Sequence, residues 1–230
     1  MACGCGDFTS AAGRQFDANK AATQLRAYRQ GRLEPTTRLL RDGLVSAALH
    51  TGTLLDVGAG IGALTFELMD RGVTSAQAVD ASPAYVAAAN EEASRRNRSA
   101  SVSFIHGDFV AVADECSAAD IVTLDRVVCC YANYRPLLQQ ASARARRTLA
   151  LSYPRDRWFV RLGVWIENAL RRVKSNDFRT FVHPVMEMQR LIADDGFQLV
   201  NRSETAAWAA DVYARAAEAT VPRQTEGSPR

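Results

Sequence analysis

No apolar run in this 230-residue chain approaches the roughly 18–20 residues needed to cross a bilayer, so the sequence predicts no transmembrane segment. The first residues, Met1-Ala2-Cys3-Gly4-Cys5-Gly6-Asp7, carry neither a basic n-region nor an apolar h-region. A secretory leader is therefore not expected, and the reading is cytoplasmic. Lysine is almost missing: Lys20 and Lys174 stand alone, and arginine supplies the remaining positive charge. The arginines are scattered, acids nearly match them, and the net charge is +3. That balance lacks the clustered basic stripe of a nucleic-acid binder, so no nucleic-acid partner is expected. Five cysteines, an odd count, do not suggest a disulfide framework without a leader. Cys3 and Cys5 supply two thiolates with no partner cluster. Two do not complete a tetrahedral site, so no metal is assigned and their role stays open.

The chain does contain an alternation. Residues 16–29 and 35–48 predict two helices, which form an N-terminal helical lid over 1–49. From residue 50, short apolar runs alternate with helical stretches. Strands are expected at 53–57, 75–79, 102–106, 120–125 and 148–153, with helices at 63–70, 83–95 and 134–144 between them. Such alternation builds a doubly wound parallel sheet with helices on both faces. Runs 197–204 and 207–213 add a C-terminal antiparallel hairpin, giving seven strands in a domain spanning 50–216. Within it, 157–184 reads as an insertion on the acceptor side, whose helix, 157–173, is amphipathic. Residues 217–230, rich in Pro, Gly, Ser, Thr and charge, predict a disordered tail.

One stretch concentrates the chemistry: Leu54-Leu55-Asp56-Val57-Gly58-Ala59-Gly60-Ile61-Gly62. An apolar strand ends in an acid, then glycines on alternate positions open a helix. Bare backbone N–H groups at such a turn receive a polar ligand. A dinucleotide fingerprint spaces its glycines G-x-G-x-x-G. Here the spacing differs, and Asp56 would repel a pyrophosphate but tolerate a cation. Asp80, eighteen residues after Gly62, ends the second strand, where an acid holds ribose hydroxyls; Ala81 follows it. Asp108, in Gly107-Asp108-Phe109, follows the third strand and can accept from an exocyclic amine, with Phe109 an apolar wall for a purine.

These residues together resemble the class I S-adenosylmethionine-dependent methyltransferases over roughly residues 50–215, which implies a Rossmann-like fold. Asp56–Gly62 resembles the first motif of that family, Asp80 its ribose acid, Asp108 its adenine-side acid and Asp120–Val127 its fourth-strand motif. Tyr28-Arg29-Gln30-Gly31, Asp125–Tyr131 and Phe178–Pro184 resemble the branch of the magnesium-protoporphyrin O-methyltransferases. That branch tends to carry a histidine where this chain has Cys130, a departure that puts a porphyrin acceptor in doubt. The resemblance implies S-adenosyl-L-methionine as cofactor, bound by Asp56, Gly58, Ala59, Gly60, Gly62, Asp80, Ala81, Asp108, Phe109, Asp125, Arg126 and, through the cofactor carboxylate, Arg38. It implies methyl transfer to a small molecule by in-line displacement, over the ends of strands 1, 2 and 4; the methylated atom is left open.

Three residues are candidates for the catalytic side. Tyr28 reads either as a contact to the methionine moiety or as helix packing. Tyr131 reads as a hydrogen-bonding partner of the acceptor or as pocket wall. His183 either faces the acceptor or is structural. Cys129 and Cys130 read as small buried residues rather than nucleophiles. Trp158, Phe159 and Trp165 with neighbouring arginines on 157–173 suit a peripheral membrane contact, a pocket cap or packing on the sheet. The main alternative function is a catalytically silent cofactor-binding sensor or assembly partner. An RNA or protein methyltransferase lacks support, because Asp125-Arg126-Val127-Val128 is not an Asn/Asp-Pro-Pro-aromatic signature. A nicotinamide oxidoreductase conflicts with the glycine spacing.

Overall fold

The computed structural model describes residues 5–216. The expected tail at 217–230 and Cys3 lie outside them. Seven strands form one sheet: β1 (Gly52–Val57), β2 (Val73–Asp80), β3 (Val102–His106), β4 (Ala119–Leu124), β5 (Ala145–Pro154), β6 (Phe197–Glu204) and β7 (Trp208–Arg215). Their order is β3-β2-β1-β4-β5-β7-β6. The first five run parallel, and β7 is antiparallel to both β5 and β6. The order reverses between β1 and β4. Above that point the connections diverge to opposite faces and leave a crevice at the strand ends, where ligands of such sheets bind.

The strands are buried on both faces, and the two-residue period divides their side chains between two cores. Leu54, Ile121, Ala150 and Val212 face α2 (Ala18–Arg29), α3 (Pro35–Ser46), α4 (Ala63–Met69) and α5 (Pro83–Arg95). Leu55, Val122, Leu149 and Leu151 face α7 (Tyr134–Arg144) and α9 (Val185–Asp194). The hairpin register is locked by charge. Asp211, fully buried, pairs with Arg202 opposite it and accepts from Tyr153 and Tyr213 at 2.8 Å.

Two short elements were not expected. Helix α1 (Cys5–Gln15) precedes the predicted first helix, and α6 (Phe109–Val112) follows β3. Both lack the long apolar period that reveals a helix in sequence. The predicted helix from residue 16 begins at Ala18 because Asp17 caps it, accepting from the Lys20 backbone N–H at 2.9 Å. Residues 178–182 form no strand; Phe181 makes one backbone bond to the Cys129 carbonyl. Helix α8 (Trp158–Val173) lies on the surface with Val160 as its single buried side chain.

Candidate active site

At the sheet's reversal point the ends of β1, β2 and β4 open into a cavity of about 490 Å³, within the range of small-molecule sites. Helices α1 and α2 and the link between them cover it, with Phe8, Lys20 and Tyr28 from the helices and Phe16 from the link. The cover is fastened from below. Ser82 caps α5 by accepting from the Tyr85 N–H, and its hydroxyl donates to the Phe16 carbonyl at 2.6 Å. Arg29 on α2 bonds the buried Glu92 on α5 at 2.9 Å.

The glycine turn forms the floor. At Gly58 the backbone has φ +65°, and an added Cβ would stand 2.3 Å from Val127 Cγ2. Only a glycine satisfies both the left-handed backbone and this contact. Gly60, at φ +58°, meets no such clash, since the nearest atoms to an added Cβ belong to the Tyr85 ring at an ordinary contact distance of 3.8 Å. Its N–H donates to Asp80 Oδ2 at 2.8 Å, while the Ser82 N–H donates to Asp80 Oδ1 at 2.7 Å. The turn after β1 and the acid ending β2 thus hold each other in register. Burial pushes the Asp80 carboxyl up to about 6, against the pull of those two donors.

Asp56 is also raised to about 6 by burial. Its oxygens accept hydroxyls from Thr65 at 2.6 Å and Thr123 at 2.7 Å. The acid is an internal tie between β1, α4 and β4, with a face on the cavity. Asp125 is tied in the same way, accepting from Thr37 at 2.5 Å and Ser152 at 2.6 Å. Ser152 in turn accepts the Arg126 N–H at 2.8 Å, which supports Arg126 in a left-handed conformation, φ +61°. The Arg126 side chain pairs with Glu34 at 3.1 Å.

Most residues singled out in the sequence meet here. Asp56, Gly58, Ala59, Gly60, Asp80, Ala81, Phe109, Asp125, Arg126, Tyr28 and Tyr131 all line the cavity. Gly62 stands one step behind it as the N-cap of α4. Four residues stand differently from a direct ligand contact. Arg38 is exposed, donates only to the Leu33 carbonyl at 3.5 Å and is not on the cavity wall, because its position on α3 turns it to solvent. Asp108 is not among the lining residues. One of its oxygens caps α6 through the Val110 N–H at 3.1 Å and accepts the Tyr131 hydroxyl at 2.6 Å. His183 is buried away from the cavity, with Nε2 3.1 Å from the Val128 carbonyl and its ring against Tyr134 at 4.5 Å. Burial pushes its pKa down. Tyr28 lines the cavity with its ring, but its hydroxyl points to Glu67 at 3.4 Å and burial raises its pKa.

Sequence reasoning missed the hydroxyls that hold the acids, Thr37, Thr65, Thr123 and Ser152. Strand register alone could have found Thr123, which lies opposite Asp56. It also missed Tyr85, in the first turn of α5, whose buried hydroxyl has no partner among the described residues. Such an orphan on a cavity wall is what a polar ligand satisfies. With the carboxylate of Asp80 and the open face of Gly60, it fits a nucleoside carrying ribose hydroxyls.

Residues 54–150 match a family model described as a methyltransferase domain. Over that segment the chain is similar to a methyltransferase domain, and its seven-stranded sheet has the fold of solved methyltransferases. The chain's fold is similar to that of magnesium protoporphyrin IX methyltransferase from Synechocystis with bound SAM, at 17% identity, 94% of this chain and 100% of the other covered, TM-score 0.64. It is also similar to an O-methyltransferase family protein from Burkholderia thailandensis, at 16% identity, 86% and 60% covered, TM-score 0.67. Human N-acetylserotonin methyltransferase with SAM gives 19% identity, 86% and 56% covered, TM-score 0.61. At these identities the likeness is one of fold. No curated protein matches the sequence.

Proposed function

We propose that this protein transfers a methyl group from S-adenosylmethionine to a small-molecule acceptor, in the cavity over β1, β2 and β4. The observation that carries the reading is the Gly60–Asp80 pairing, with the unpartnered Tyr85 hydroxyl beside it. Asp80 would take the ribose hydroxyls as charge-assisted hydrogen bonds. Gly60 gives the ligand access to bare backbone, and the α1–α2 cover would act as a lid that excludes water. When bound, the cofactor supplies a methyl group already activated on a sulfonium.

The chain's own contribution is then alignment and exclusion of water. Tyr131 stands on the acceptor side, against the Phe8 ring at 4.5 Å. Burial and the nearby Asp108 hold its hydroxyl protonated. Because it donates to Asp108, its oxygen is left as an acceptor that can orient an acceptor's O–H or N–H. Cys130, Phe178, Thr180 and Arg171 complete that side. The 157–184 segment supplies three of these, which supports its reading as an acceptor-side insertion.

No histidine lines the cavity among the described residues, and the two acids nearest β1 and β4 are tied by hydroxyls. That favours an acceptor that reacts without a strong protein base. It also leaves the second reading, a silent cofactor-binding sensor. Incubation with methyl-labelled cofactor and a fractionated metabolite pool separates the two. The proposal expects label in a small molecule, lost in Asp80→Ala. Cofactor binding with no labelled product from any fraction would favour the sensor.

A further inference from the structure

Helix α8 points its apolar face away from the protein. Val160, Val164, Asn168 and Arg171 face inward, and Asn168 and Arg171 are fixed to Thr180 by bonds of 2.8 and 2.7 Å. At about 100° per residue, the opposite arc is formed by Trp158, Leu162, Trp165, Ile166, Leu170 and Val173. Trp158 is 77% exposed, Trp165 67% and Val173 84%. A helix on a soluble core normally does the reverse, since each such side chain gains from leaving water. Exposed apolar surface this continuous marks an interaction site.

The charge around the stripe identifies the occupant. Between 155 and 174 there are six basic side chains and two acidic ones. Arg161 pairs with Asp156 and Arg171 with Glu167, whereas Arg157, Arg172 and Lys174 have no salt-bridge partner among the described residues. Two tryptophans on an apolar stripe flanked by unpaired cations fit the boundary of an anionic bilayer, with rings at headgroup depth and cations against lipid phosphates. A second copy fits worse, because two such helices face to face would bring their cationic flanks together.

We infer that α8 is an interfacial helix that docks the protein on an anionic lipid surface. The same helix lines the cavity through Glu167 and Arg171, so docking sets the cavity's rim against the membrane. On the methyl-transfer reading, to which this last step alone is tied, the acceptor is then an amphipathic molecule drawn from the lipid phase.

Co-sedimentation of the full chain with vesicles tests the docking independently of any methylation. Vesicles of phosphatidylcholine with phosphatidylserine should bind the protein at least about tenfold more strongly than phosphatidylcholine alone, and added salt should weaken the binding. Trp158→Glu/Trp165→Glu should abolish it, with circular dichroism and cofactor binding unchanged, since neither residue lines the cavity. Arg157→Glu/Arg172→Glu should lower it several-fold. Equal binding to both vesicle types, or no binding, overturns the inference. So does a dimer in solution that the tryptophan variant dissociates, because the face would then belong to a second copy.

Discussion

The two ends of the cavity are built on opposite plans. On the side of β1, β2 and β4, nearly every polar atom is already engaged: Asp56 by two threonines, Asp80 by two backbone donors, Asp125 by Thr37 and Ser152. On the side of α8, seven large apolar side chains stand in solvent and one side chain is buried. The first side is preorganised and spends stability on it, since two acids are buried with carboxyls raised to about 6. The second contributes little to the fold and is free to meet something outside the chain. One half of the cavity wall is thus held by internal ties, and the other carries an apolar face turned to solvent.

The comparison breaks most readily at Gly58. Gly58→Ala should cost about 2–4 kcal/mol by chemical denaturation, from the Val127 clash and the left-handed backbone together. Trp165→Ser on α8 should stay within about 0.5 kcal/mol in the same experiment. Equal losses at the two positions would erase the distinction.

Next in size is the pH response. The folded form keeps protons on Asp56 and Asp80 up to about pH 6, whereas each ordinarily releases its proton near 3.8. The folded state therefore binds the extra protons between those values, and these acids lower stability as pH rises through that window, by up to about 1.4 kcal/mol per unit for each. Asp80→Asn should remove part of that slope in ligand-free protein, measured as thermal unfolding from pH 4 to 7. An unchanged slope would mean Asp80 is not held protonated.

Tyr131→Phe should lower kcat roughly tenfold, about 1.4 kcal/mol, once an acceptor is known. Cofactor affinity should be unchanged, because the lost hydroxyl orients the acceptor. Equal loss of both would place Tyr131 on the cofactor side. The smallest effect belongs to Arg38→Ala, which should change cofactor affinity less than about twofold. A larger loss would return the arginine to the site.

The sheet side was legible because its signals are local. A glycine triad, an acid at a strand end and apolar runs of strand length lie within a few residues of each other, and helices at 83–95 and 134–144 and the strand at 102–106 form where the pattern put them. The hydroxyl ties were not legible, because Thr37 meets Asp125 across 88 residues. Asp108 was ambiguous for a related reason: an acid after a strand can serve a ligand or cap a helix, and the four-residue α6 that it caps is too short to show a period. The places of Arg38 and His183 stayed open because residue type does not reveal direction. Helix α8 carried an ordinary amphipathic pattern, and only the fold shows that its apolar side faces out.

Isothermal titration of the cofactor's demethylated product, S-adenosylhomocysteine, against wild-type protein and Asp80→Asn tests the central claim most directly. The account predicts measurable binding to wild type and about a hundredfold loss in the variant, from weakening two charge-assisted hydrogen bonds. Wild-type protein that shows no binding, or a variant that binds as tightly, would contradict it.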